Sequence, residues 1–202
     1  MSDHSALVAQ FVQLVAANGT EIYNEFSLQH EFGIFLQAAL PKYKVQFERN
    51  VESFGQSKSN FTKCELDIAV FAGDKTDLKY AIELKYPRNG QYPEQMFSFC
   101  KDIAFAEHLK AAGFSSAGLL IFADDRPFYA GSAKGIYGFF RAGRPITERI
   151  EKPTMPKRPC QNQRELRCFL GSRLGLNALC ICRGQKCRLT CAKSRAGRLP
   201  SL

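Results

Sequence analysis

The chain has 202 residues, 45% of them hydrophobic and 17 of them phenylalanine, enough for one compact domain with a sizeable core. No apolar run has the length of a bilayer span, and the N-terminus lacks a basic region followed by an apolar stretch. Neither a membrane span nor a secretory signal is therefore expected, and the cytoplasm is the default compartment. The net charge of +9 is unevenly placed: residues 152–202 hold 12 Lys and Arg against one acid, Glu165, while 1–151 hold 16 basic and 18 acidic residues. The basic balance belongs to the tail and says nothing about the surface of the body.

From Ser5 to Ala17, Leu7, Val8, Phe11, Leu14 and Val15 recur at helical spacing, and Asn18-Gly19 follows as a stop. This predicts a packing helix with no chemistry of its own. A second helix is expected from Ser27 to Leu40, closed by Pro41, with Leu28, Phe32, Phe35, Leu36 and Ala39 on one face. Glu31, three residues after Leu28, falls on that same face. A carboxylate there needs a partner or a metal, or else sits at the stripe's edge and reaches out to water. His30 points elsewhere and reads as a surface residue.

Lys44 to Val51 alternates apolar and polar side chains, the pattern of a half-buried strand. A polar loop, Phe54 to Thr62, leads to two further strands, one beginning at Glu65-Leu66-Asp67-Ile68 and one at Tyr80-Ala81-Ile82-Glu83-Leu84-Lys85. Period-two alternation places Glu65, Asp67, Ala69 and Phe71 on one face of the first, and Glu83 and Lys85 together on one face of the second. If the strands pair through the turn at Gly73 to Asp77, Asp67 comes close to Glu83 and Lys85. Two carboxylates and an ammonium on an apolar sheet suit a divalent cation such as Mg²⁺, which takes one or two carboxylates and completes its shell with water. The plainer alternative is a surface ion pair.

Beyond a turn at Pro87 to Gly90, a helix is expected from about Glu94 to Ala112, ended by Gly113, with a stripe that is partly polar. Ala117 to Ala123 is a short continuous apolar run, as in a buried central strand. Gly135 to Phe140 and Ile146 to Glu151 read either as two more strands or as a helical turn and a strand. Cys64 and Cys100 fall in core elements and read as small buried hydrophobes.

The order helix, three strands, helix, strand, with Glu31 on the helix, Asp67 on the second strand and Glu83-Leu84-Lys85 on the third, resembles the PD-(D/E)XK nuclease superfamily. The resemblance covers residues 22–125. It departs at Leu66, where the motif has proline. It implies an α/β, restriction-endonuclease-like αβββαβ core with a mixed central sheet flanked by helices. It further implies hydrolysis of phosphodiester bonds in nucleic acid, DNA being the usual substrate, with Mg²⁺ or Mn²⁺ held by Asp67, Glu83 and the backbone carbonyl of Leu84. Lys85 would then orient water or offset phosphate charge, and Glu31 would support the metal shell. Gln95 matches the glutamine of the helical Gln-x-x-x-Tyr motif of some members, although Phe99 replaces the tyrosine; its alternative is an ordinary first-turn polar residue. A homodimer is compatible with the same resemblance. A non-catalytic binding or structural module on this fold is the competing expectation.

Charge balance and periodicity both stop at Lys152-Pro153-Thr154, which divides the chain into a nuclease-like domain, 1–151, and a basic tail, 152–202. The tail carries six of the eight cysteines and scatters them with arginine without period. That composition suits a disordered extension or translation out of frame. Cys180, Cys182, Cys187 and Cys191 give the alternative of a zinc and nucleic-acid module, although their spacings contain no paired C-x₂-C.

Overall fold

The computed structural model describes residues 4–61, 63–88 and 90–142, together with the backbone of 178–182. Two helices come first, α1 (His4–Asn18) and α2 (Glu25–Ala39). Strands β1 (Lys44–Asn50), β2 (Glu65–Phe71) and β3 (Leu78–Lys85) follow, then α3 (Tyr92–Ala111), β4 (Ser116–Ala123), a short α4 (Tyr137–Arg141) and β5 (Ala178–Cys182). Of the two alternatives for Gly135 to Phe140 the helical one is found, while Ile146 to Glu151 lies outside the described residues.

Helix α2 begins two residues earlier than its apolar stripe suggests. Asn24 is the cap: its side chain accepts from the Ser27 amide at 2.7 Å, and Ser27 Oγ accepts from the Asn24 amide at 3.0 Å. Ser27 therefore works as the third residue of a reciprocal capping box rather than as the first of the helix. The shift brings Glu25 into the first turn.

The sheet has the order β1-β2-β3-β4-β5. β1 with β2, and β2 with β3, are antiparallel; β3 with β4, and β4 with β5, are parallel. The β2–β3 pair is a hairpin, whereas the parallel β3–β4 step needs a crossover, which α3 supplies. The chain is thus α/β, with a mixed open sheet flanked by helices. β5 belongs to the tail, and the remainder of 143–202, including the candidate cysteine cluster apart from the backbone of Cys180 and Cys182, lies outside the described residues.

Each face of the sheet is closed by a different layer. Val8, Phe11, Leu28, Phe32 and Leu36 of α1 and α2 pack on Ile68, Val70, Tyr80, Ile82, Leu84, Leu120 and Phe122. On the opposite face, Ala69, Phe71 and Ala81 meet Phe105, Ala106 and Leu109 of α3, and Leu119 and Ile121 meet Met96, Phe99, Cys100 and Ile103. Strand alternation assigns Ile68, Val70, Tyr80, Ile82 and Leu84 to the α1–α2 side and Ala69, Phe71 and Ala81 to the α3 side, while Leu66 and Leu78 at the strand ends also join the α3-side cluster. Cys100 is fully buried in that layer, while Cys64, just ahead of β2, is only half-buried.

Candidate active site

Asp67 and Glu83 are the odd-numbered acids of neighbouring strands. The register pairs Ile68 with Ile82, and one step further along the ladder sets Asp67 beside Glu83. Both are buried, at 7% and 1% exposure. Their oxygens are well used: Asp67 Oδ2 accepts from the Leu84 amide at 2.7 Å, and Glu83 Oε1 accepts from the Asp67 amide at 3.4 Å. The other oxygens, Asp67 Oδ1 and Glu83 Oε2, converge on the ammonium of Lys63, which is 3.2 Å from Asp67 and in short contact with Glu83.

Burial, and then the Asp67 charge, push the Glu83 carboxyl up to about 8, against the pull of Lys63 and Lys85. Burial would lower the Lys63 ammonium, but the Glu83 and Asp67 carboxylates outweigh it and raise its pKa. Two carboxylates in contact in a dry setting repel each other unless a cation lies between them or one of them takes up a proton. In this structure the cation is Lys63.

Lys85 ends β3. Its Nζ donates to the Leu84 carbonyl at 2.8 Å and lies among three carboxylates, Asp67 and Glu25 at 4.0 Å and Asp102 at 3.9 Å. Glu25 comes from the capped first turn of α2, and its second oxygen accepts from the Tyr86 amide at 3.2 Å. Asp102 comes from the middle of α3. Its Oδ2 is buried and makes no hydrogen bond, and burial raises its pKa. Gln29, one turn after Glu25, donates to the Asp67 carbonyl at 3.0 Å and to Glu48 at 2.7 Å, which ties α2 to this end of β2.

Asp67, Glu83 and Lys85 thus come together as their strand positions require, and the Leu84 carbonyl adjoins them through Lys85. Glu31 does not join them. Its carboxylate pairs with His30 Nδ1 at 3.1 Å, with the two side chains 35% and 69% exposed. Helix α2 covers the other face of the sheet, so a residue midway along it looks away from the acids. Only its N-terminal turn overlaps the end of β3, which is why Glu25 takes the place expected for Glu31, and why the expected group of four is corrected to three. Gln95 also serves elsewhere, since its Nε2 donates to the carbonyls of Arg88 at 2.6 Å and Gly90 at 2.7 Å, fastening the turn after β3 to the start of α3.

The residues missed by sequence reasoning left faint signals. Lys63 shares strand parity with Asp67 but precedes the strand in a segment that reads as loop. Asp102 stands with Lys101 between the apolar residues Phe97, Phe99 and Cys100 and Ile103, Ala104 and Phe105. Glu25 lay outside the helix until the Asn24 cap was visible.

Among the described residues no group of three or more His, Cys, Asp or Glu side chains is arranged to hold a metal ion, and no helix is long and apolar enough to cross a membrane. The chain matches no protein-family model, no curated protein and no solved structure.

Proposed function

We propose that the protein is a divalent-metal-dependent phosphodiesterase acting on nucleic acid, with DNA the first substrate to test, built on a restriction-endonuclease-like core. The observation that carries this reading is the convergence of Asp67 Oδ1 and Glu83 Oε2 on a single cation, with Lys85 against the other oxygen of Asp67. Support also comes from the order α2-β1-β2-β3-α3-β4, with the parallel β3–β4 step made through α3.

The donors fit the group. Two carboxylate oxygens and the Leu84 carbonyl are hard ligands that suit Mg²⁺ or Mn²⁺ and leave positions for water. When bound, such an ion supplies a Lewis acid for a phosphate oxygen and lowers the pKa of a coordinated water. Asp67 and Glu83 would hold the ion, and the Leu84 amide fixes the Asp67 carboxylate by donating to its Oδ2. Lys85 presents its ammonium to the charge that builds on the phosphate, or aligns the attacking water. Glu25 and Asp102 keep that ammonium over the end of β3. Glu31 has no part in this arrangement.

The test is cleavage of plasmid, linear DNA and RNA with Mg²⁺, Mn²⁺ or EDTA, beside Mn²⁺ calorimetry, on the parent and Asp67→Ala. Metal-dependent cutting that disappears together with Mn²⁺ binding in Asp67→Ala supports the reading. Mn²⁺ binding by Asp67→Ala at the parent's affinity overturns it.

One observation favours a second reading, a module of this architecture that does not cut. Lys63 bridges Asp67 and Glu83 within the chain and offsets one of their two charges, so the pair has a cation partner of its own. A parent protein that binds nucleic acid and cleaves none of the three substrates in any metal arm establishes that alternative.

A further inference from the structure

Lys63 has no role in the hydrolytic reading, yet its ammonium touches the two oxygens, Asp67 Oδ1 and Glu83 Oε2, that the reading gives to the metal. An ammonium and a divalent ion cannot both lie in contact with the same pair of oxygens. We propose that Lys63 is a built-in counter-ion that occupies the Asp67–Glu83 pair until a divalent cation displaces it, and so sets the cation concentration at which the site loads. The proposal rests on Asp67 and Glu83 being the metal ligands.

The physical need for such a residue follows from burial. Glu83 is 1% exposed and Asp67 7%, so without a cation the pair would have to separate, take up a proton or admit water. Lys63 meets that need only in part, with one positive charge against two carboxyl groups. A divalent ion brings twice the charge to the same oxygens at shorter range, so it wins once its concentration is sufficient.

The two lysines of the cluster are built for different behaviour. Lys85 stands on β3 with its side chain 22% exposed, donates to the Leu84 carbonyl and lies among Glu25, Asp67 and Asp102. If Asp67 and the Leu84 carbonyl turn to a metal, Lys85 still has two carboxylate neighbours, Glu25 and Asp102. Lys63 precedes β2, its side chain is 34% exposed, and its carboxylate partners among the described residues are Asp67 and Glu83. Losing both to a metal leaves its ammonium without a carboxylate among the described residues, and a flexible four-carbon stem lets it reach water. Its approach to the Phe105 ring, 5.9 Å from the centroid, is too weak to retain it against that pull. Loading therefore exchanges one cation for another without moving the strands.

Calorimetry with Mn²⁺ on the parent, Lys63→Met and Lys63→Arg tests this directly. Close charge pairs couple strongly enough that Lys63→Met should bind Mn²⁺ about tenfold tighter or more, while Lys63→Arg, which keeps the charge, binds as weakly as the parent. A second measurement needs no variant: reductive methylation of the parent, read by mass spectrometry, should label Lys63 faster in Mg²⁺ than in EDTA and leave Lys85 unchanged. That arm decides the matter if Lys63→Met does not fold. Equal Mn²⁺ affinity in the parent and Lys63→Met, or Lys63 labelling that ignores Mg²⁺, overturns the role of Lys63 and leaves the metal site standing. Absence of Mn²⁺ binding in all three proteins overturns the metal site and this inference together.

Discussion

The two faces of the sheet are made from alternate residues of the same strands and have opposite characters. Against α1 and α2 lie Ile68, Val70, Ile82 and Leu84, sealed by Phe11, Phe32 and Leu36. Against α3 the same strands present Ala69, Phe71 and Ala81 and then, at one end, Asp67, Glu83 and Lys85. One face is apolar, with the hydrogen bond between His4 and Ser116 at its edge. The other is dry over most of its length and ionic at its end, where α3 adds Asp102 and the chain before β2 adds Lys63. The ionic end is tolerated because the apolar layer on the other face keeps β2 and β3 in register. A one-residue slip of either strand would exchange the faces and bury the acids among Phe11, Phe32 and Leu36.

The sharpest break of this contrast is in the dry layer. Phe32 is fully buried, with the rings of Phe11 and Phe35 at 4.8 and 6.1 Å between centroids. Phe32→Ala should lower unfolding stability by about 3–5 kcal/mol, read by denaturant titration. Under conditions where the variant is folded, its Mn²⁺ affinity should match the parent's, because none of the cluster's contacts involves Phe32. A changed affinity would show that the faces are less independent than their contacts suggest.

At the ionic end, Lys85→Ala should reduce cleavage by roughly 100-fold or more, the usual consequence of losing one transition-state contact. Mn²⁺ binding should remain near the parent's, since the ligands are oxygens of Asp67, Glu83 and Leu84. Plasmid nicking beside calorimetry reads both quantities, and undiminished cleavage would leave Lys85 as no more than an ion-pair partner.

The smallest effect is expected at Glu31. Its partner is His30, at the outer side of α2. Glu31→Ala should change stability by no more than about 0.5 kcal/mol, as at surface positions generally, and should leave metal affinity unaltered. A clear loss of Mn²⁺ binding in that variant would mean that α2 reaches the acids by a route its contacts do not suggest.

The elements and the faces were legible in the sequence because both rest on short periods. Period two in β2 and β3 sets Asp67, Glu83 and Lys85 on a common side, and hydrogen-bonded pairing in the hairpin makes them neighbours. Helical spacing marks α1, α2 and α3 within a few residues. The rest depended on where whole elements pack. The sequence pattern put Glu31 on the stripe of α2, but only the packing shows that α2 covers the face away from the acids and lends just its first turn, with Glu25, to their end of the sheet. Asp102 and Lys63 are ordinary charged residues in their own segments. They become part of the cluster because the crossover lays α3 over β3, and because the chain enters β2 beside Glu83. Local pattern is carried by neighbours in the chain, whereas the partner of a buried charge is chosen by tertiary contact between segments far apart in sequence.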